Sequence, residues 1–192
     1  DFPLADPIQQ TLMQAIQDGD TGYTPPEPGI RQAFAAFAQR HWDWNVDPAR
    51  VRSTGDVMMG VVELLRATTN PGDRVVTMPP VYPPFAMCIE EARAVDLPVP
   101  LIDTGSAWHI DLAGVRAALA DGARVVLLCN PHNPTGTSFS VEALAALAEL
   151  VAEFDAVVIS DEIHGPLAHP GATFTPFLAA SAIAAEVGYV VT

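Results

Sequence analysis

Val125-Val-Leu-Leu-Cys-Asn-Pro-His-Asn-Pro-Thr-Gly136 is an apolar, partly β-branched run that stops abruptly at two Asn-Pro steps and a glycine. Such a run predicts a strand buried on both faces, because a strand with one wet face would alternate apolar and polar residues. The Asn-Pro steps and the glycine end it, since each disfavours continuation of regular structure. The same unit recurs along the chain. Short runs at 51–53, 75–77, 95–99, 157–159 and 189–191 alternate with helical patterns at 57–68, 85–92, 112–120 and 141–154 and a looser one at 177–185. Strand and helix alternating this often predict an α/β fold of three layers, with helices on both faces of a mainly parallel sheet. Asp111 and Ser140 stand where side chains should cap the helices after them.

Upstream of this alternation, Ile8, Leu12, Ala15 and Ile16 recur at helical spacing, and Ile30, Phe34 and Phe37 repeat the pattern after Pro28 and Gly29. Two amphipathic helices are expected. Thr21-Gly-Tyr-Thr-Pro-Pro-Glu-Pro-Gly29 between them is dense in proline and glycine and reads as an extended loop carrying Tyr23. The expected division is therefore residues 1–45 as N-terminal helices with an interface loop, and residues 46–192 as the sheet domain.

The chain of 192 residues is 49% hydrophobic and 17% charged, so much of its surface is expected to be covered by something. Its formal charge is -14, and all nine basic residues are arginine. Nucleic acid and anionic membranes are excluded as expected partners, because both demand clustered cations. Cys88 and Cys129 fit no metal-ligand spacing and are expected to be buried free thiols. No run of 18 apolar residues and no basic-apolar leader pattern is present, so a soluble, cytoplasmic protein is expected. The chain starts Asp1-Phe-Pro3 and stops in the apolar run Tyr189-Val-Val-Thr192, which reads as a cut through a larger protein at both ends.

In an open α/β sheet a ligand sits at the carboxyl ends of the strands, which directs attention to the segment leaving each run. After the run at 51–53 comes Gly55-Asp56-Val57 opening a helix, whose free N–H groups suit a phosphate but also suit an ordinary turn. After 75–77 comes Pro79-Pro-Val-Tyr-Pro-Pro84, stiff enough to hold the ring of Tyr82 in one orientation, or simply a packed tyrosine in a turn. The run at 125–128 delivers Asn133 within its two Asn-Pro steps. The run at 157–159 delivers Asp161-Glu-Ile-His164; a strand-end Asp is costly to bury without a cationic partner or several donors, although the alternative of a simple helix cap is open. Asp161, Glu162, His164 and His169 could also be weighed as metal ligands, but their spacing matches no zinc pattern, and no metal is expected. His41, His109 and His132 read as surface or satisfied histidines, and Trp42, Trp44 and Trp108 as packing residues.

Taken together, Asn130-Pro-His-Asn-Pro-Thr-Gly136 and Ser160-Asp-Glu-Ile-His164, with Pro170-Gly171 and Thr175-Pro-Phe177 after them, resemble the fold-type I enzymes dependent on pyridoxal phosphate (PLP). The resemblance covers essentially the whole chain. It points to the class I/II aminotransferase group and, through His164 where most of that group have tyrosine, to its PatB/MalY-like carbon-sulfur β-lyases. It implies PLP as cofactor, an amino-acid substrate of the cysteine S-conjugate class such as cystathionine, and a homodimer. It implies that Asp161 pairs with the pyridine nitrogen, Asn133 donates to the ring's phenolic oxygen with His164 close by, and Tyr82 stacks on the ring. It also implies that Gly55, Asp56 and Val57 bind the phosphate and that Tyr23 reaches the phosphate of the neighbouring subunit. A cis Asn133-Pro134 bond is implied as well.

Two departures stand out. Asp56 occupies a position usually small or uncharged in the group, and a carboxylate beside a phosphate is unfavourable unless it points away or caps the helix. The chain also contains no lysine, so the residue that would hold PLP covalently is missing, as is the small C-terminal domain. Residues 46–192 thus read as an incomplete PLP-binding large domain with no catalytic residue of its own, expected to be inactive as it stands. The alternatives to a β-lyase are a class I/II aminotransferase and a non-catalytic PLP-domain remnant.

Overall fold

The structure is a computed structural model, and it describes residues 3–20, 22 and 28–192. Two helices open it, α1 (Asp6–Gln17) and α2 (Pro28–Trp42). A single turn of 3₁₀ helix at Pro48–Arg50 leads through an extended segment to α3 (Val57–Thr68). The chain then alternates: β1 (Arg74–Thr77), α4 (Pro84–Glu91), β2 (Val95–Pro98), a hairpin of β3 (Ile102–Asp103) and β4 (Trp108–His109), α5 (Leu112–Ala120), β5 (Ala123–Cys129), α6 (Val141–Ala152) and β6 (Val157–Asp161). After a second 3₁₀ turn at Gly165–Leu167 come α7 (Phe177–Ala180), α8 (Ala182–Val187) and β7 (Gly188–Val191).

Five strands form one sheet in the order β2-β1-β5-β6-β7, every neighbouring pair parallel. The central strand β5 is buried at every position except Arg124, as expected for a strand covered on both faces. One apolar cluster, built around Val126, Leu128, Leu144, Leu147 and Val158, packs α5, α6 and α7–α8 on one face. The other, built around Val61, Leu65, Phe85, Val125 and Ile159, packs α3 and α4 on the opposite face. The three-layer parallel architecture is thus present. Asp111 and Ser140 cap α5 and α6 through their side chains, accepting from Gly114 N–H (2.9 Å) and Ala143 N–H (3.3 Å).

Two expectations need correction, and one element was not expected. Residues 51–53 form no strand: Val51 is extended, but the segment belongs to neither sheet, and Arg52 turns back to the Ala49 and Val51 carbonyls. The looser pattern at 177–185 is two helices, split where Ser181 takes an extended conformation and accepts from Ala184 N–H to start α8. The β3–β4 hairpin carries no alternating run long enough to announce itself.

Two glycines let elements approach closely. A Cβ at Gly60 in α3 would lie 2.8 Å from Val191 Cγ1, so the helix rests directly on the end of β7. At Gly188 a Cβ would meet Leu178 Cδ2 at 2.5 Å, the Ala184 carbonyl oxygen at 2.6 Å and Phe177 Cε1 at 2.7 Å. Backbone cannot retreat as a side chain can, so Gly188→Ala should cost about 1–3 kcal/mol of stability, read as a lowered urea midpoint at unchanged slope.

Helix α1 buries none of its residues, and Ile8, Leu12, Met13 and Ile16 leave its apolar face open. No helix among the described residues is long and apolar enough to cross a membrane.

Candidate functional site

Parallel strands all deliver their carboxyl ends to one edge, and the segments leaving β1, β5 and β6 meet there with the start of α3. They enclose a cavity of about 550 Å³ lined by Asp56, Val57, Met58, Tyr82, Cys129, Asn133, Asp161, Ile163 and His164. Six of the eight residues singled out from the sequence therefore share one wall. Gly55 lies beside this lining without joining it, and Tyr23 falls outside the described residues.

Each side chain is held by local structure. Tyr82 comes after a cis Pro79-Pro80 bond, and Phe85 meets its ring edge-on at 6.0 Å between centroids. Asn133 sits between two further cis bonds, Asn130-Pro131 and Asn133-Pro134, the second as expected. Asn130, fully buried, ties this loop to its surroundings: its amide donates to the Thr175 carbonyl (3.1 Å) and its oxygen accepts from Phe139 N–H (3.2 Å). The loop also closes on itself, with His132 N–H donating to the Thr137 carbonyl and Gly136 N–H to that of His132. His132 is only 1% exposed; burial holds its imidazole below the ordinary pKa, opposed by the Met78 backbone. It is a core histidine but not a satisfied one: Nδ1 is bonded to the Thr135 hydroxyl at 3.2 Å, while the buried Nε2 meets no hydrogen-bond partner among the described residues.

Asp56 resolves the first departure. Its carboxylate accepts from Met59 N–H at 2.8 Å and so caps α3, whose first two residues, Val57 and Met58, line the cavity. Among the described residues the cavity lining contains no Lys or Arg, so an anionic group here would rely on backbone N–H groups and the helix dipole.

Asp161 ends β6, is 3% exposed, and pairs in register with Cys129 at the end of β5. Burial pushes its carboxyl above the usual carboxylate range; the Ile163 N–H, 3.2 Å from Oδ1, and the charge of His164 pull the other way. A buried carboxylate with so little compensation is suited to a partner that brings its own N–H⁺. The Cys129 thiol is pushed up to about 11, first by burial, with the Asn133 N–H opposing and Asp161 reinforcing the shift. Cys129 accepts from that N–H at 3.4 Å, so it holds Asn133 rather than serving as a nucleophile.

The arrangement gathers a buried carboxylate, a phenol ring, a side-chain amide and an imidazole beside the start of α3, a set chemically suited to a flat polar ring carrying an anionic arm. Cys88 and Cys129 are both free and buried. No cluster of three or more His, Cys, Asp or Glu residues able to hold a metal lies among the described residues. Met58, Cys129 and Ile163 were not singled out from the sequence; only Cys129 carried a usable signal, as the residue its strand delivers to the edge.

Cystathionine beta-lyase PatB of Bacillus subtilis is 36% identical to this chain over 182 residues, 94% of this chain and 47% of PatB. The crystal structure of cystalysin from Treponema denticola, which contains a pyridoxal 5'-phosphate cofactor, superposes with a TM-score of 0.92 at 25% identity, covering 98% of this chain and 48% of cystalysin. N-Succinyldiaminopimelate aminotransferase from Mycobacterium tuberculosis superposes at 0.90 with 28% identity, covering 99% of this chain and 50% of that one. The chain spans about half the length of the curated relatives it matches. Residues 3–191 match the family described as aminotransferase class I and II, and with nearly every residue inside that match this chain belongs to that family.

Proposed function

We propose that this chain is the cofactor-binding part of a PLP-dependent carbon-sulfur β-lyase acting on cystathionine or related cysteine S-conjugates. The observation that carries the reading is the meeting of Tyr82, Asn133, Asp161 and His164 in one cavity at the carboxyl edge of the sheet, beside the start of α3. When bound, PLP supplies an electron-poor ring that takes up the electron pair left as the substrate loses its Cα proton. The buried Asp161 carboxylate keeps a proton on the ring nitrogen, because separating the charges there would leave an unpaired anion in a dry site. Asn133 donates its side-chain amide to the phenolic oxygen, with His164 on the same edge, and Tyr82 covers one ring face. Gly55, Asp56 and Val57 form the phosphate turn: the Val57 N–H faces the anion, and Asp56 contributes by capping α3.

Tyr23 reaching a neighbouring subunit's phosphate, a cytoplasmic homodimer, and residues 46–192 as a large domain completed by a small one belong to the same reading. The open apolar face of α1 supports a covered position for residues 1–45 in that assembly. His164 and the likeness to PatB favour the lyase. Transamination is the second reading, favoured by the close superposition with the aminotransferase, since both reactions use these same residues.

The two separate in one assay on the protein extended to its relatives' length. With cystathionine as sole substrate, pyruvate and a thiol should form in equal amounts with no added keto acid. A strict requirement for a keto acid would move the assignment to transamination.

A further inference from the structure

Glu162 is the one acidic side chain buried beside the cavity that the proposed chemistry leaves without a task. It is 1% exposed. Its Oε1 accepts from the Ser160 hydroxyl at 2.9 Å and, fifteen residues further along the chain, from Phe177 N–H at 2.7 Å. Its Oε2 meets no partner among the described residues. On the backbone side, Glu162 N–H donates to the Val191 carbonyl, and the Thr192 hydroxyl donates to the Glu162 carbonyl.

These bonds place Glu162 at the neck of a loop. The loop leaves β6 at Asp161, presents Ile163 and His164 to the cavity, and returns at Phe177. Asn130 makes the neighbouring tie through the Thr175 carbonyl, so the Asn133 segment and the His164 segment are fastened to the same stem. We propose that Glu162 is a positioning residue, a neutral carboxyl clamp that closes this loop and leaves Asp161 as the single buried negative charge facing the bound ring; its link to PLP rests on the function proposed above.

A charge on the clamp would be buried with Oε2 unpartnered and Asp161 beside it, which favours the neutral form. Asp161 is adjacent and is the one charged group whose field bears on it, while Ser160 and Phe177 offer only neutral donors. Burial pushes the Glu162 carboxyl up to about 8, the two donors oppose this, and Asp161 adds to it. A carboxyl whose folded-state pKa is raised favours the fold most below its unfolded value of 4.5, and that advantage is lost as pH rises through about 8. The loop should therefore loosen above that pH.

The test compares this chain with Glu162→Gln and Glu162→Leu, reading Phe177 amide exchange and non-covalent binding of PLP at pH 6.5 and 9. Glutamine keeps the acceptor and the neutral charge, so at pH 6.5 it should match the parent within about twofold in both readouts. Leucine removes the acceptor, so Phe177 exchange should quicken and PLP affinity fall by about tenfold or more. At pH 9, after correction for intrinsic exchange, the parent should lose Phe177 protection while Glu162→Gln keeps it, a difference that loss of packing alone would not produce. An unchanged Leu variant, or identical pH profiles for parent and Gln variant, would overturn the proposal. Should the Leu variant not fold, the pH comparison decides by itself. If Phe177 behaves as expected but the parent binds no PLP, the clamp stands and the proposed cofactor falls.

Discussion

Asp161→Ala is expected to weaken non-covalent PLP binding by this chain roughly ten- to hundredfold, the worth of one charge-assisted hydrogen bond in a dry site. In the protein extended to its relatives' length it should lower lyase turnover by a further 10²–10³-fold, on the order seen when one preorganised electrostatic group is removed. The physical reason is the environment of the carboxylate. It is 3% exposed, and burial pushes its pKa up rather than down, so the empty fold gains little from it. A residue kept where it costs stability is a mark of a functional site. Asp161→Asn should accordingly leave the Tm of the empty chain unchanged or raise it, since the amide can still accept from Ile163 N–H and no charge is buried. Titration with PLP tracked by fluorescence, together with melting curves, checks both halves. An alanine variant that binds PLP as tightly as the parent would remove the ring-nitrogen role from Asp161.

How much of the molecule could be read from the sequence depends on which forces act locally. The runs at 125–128 and 157–159 were legible because strands covered on both faces must be apolar throughout, and both lie in the middle of the sheet. The run at 51–53 is no strand: Val51-Arg-Ser53 holds one β-branched residue beside two polar ones, too short and too polar a signal to tell a strand from an extended connection. The capping residues Asp111 and Ser140 were legible, being local, and Asp56, for which pointing away and capping were both open, caps in the same way: each accepts from an N–H three residues on. The break at Ser181 had the same local chemistry but was hidden in a stretch of alanines that suits an unbroken helix.

At the site, Tyr82, Asn133, Asp161 and His164 announced themselves as polar or aromatic groups where strands end, and the parallel topology does the rest by aligning those ends. Met58 and Ile163 line the same cavity but look like any core residue. Glu162 sits next to Asp161 in the sequence, where it stands only as one of four metal-ligand candidates with no structural task. Its bond from Phe177 N–H joins residues fifteen apart, and its backbone is tied to Val191 and Thr192, which are long-range facts.

The 192-residue chain itself, mixed with PLP, is expected to show neither lyase nor transaminase turnover above that of free PLP, and no borohydride-stable attachment of PLP inside the cavity. The chemistry needs a primary amine on a side chain, first to hold the aldehyde and then to carry the substrate's Cα proton. All nine basic side chains here are arginine. A guanidinium stays protonated at any working pH, so it neither adds to an aldehyde as an amine does nor accepts the proton. The cavity offers no other amine among the described residues: the His164 imidazole cannot hold the aldehyde as an imine, and Cys129 is held as a thiol with its pKa pushed up to about 11 and its sulfur occupied by the Asn133 N–H. Asp161 is engaged in the proposed pairing with the ring nitrogen. The chain can therefore bind and orient the ring without completing a turnover. Restoring a lysine by extension to the relatives' length should raise the rate by about 10²–10⁴-fold, the usual contribution of a positioned general base, with covalent attachment of the cofactor in addition. Peptide mapping after borohydride reduction, alongside pyruvate release from cystathionine, measures both effects. Turnover by the short chain, purified free of host enzymes, would show that the proton is moved by a group other than lysine and would overturn the roles assigned here.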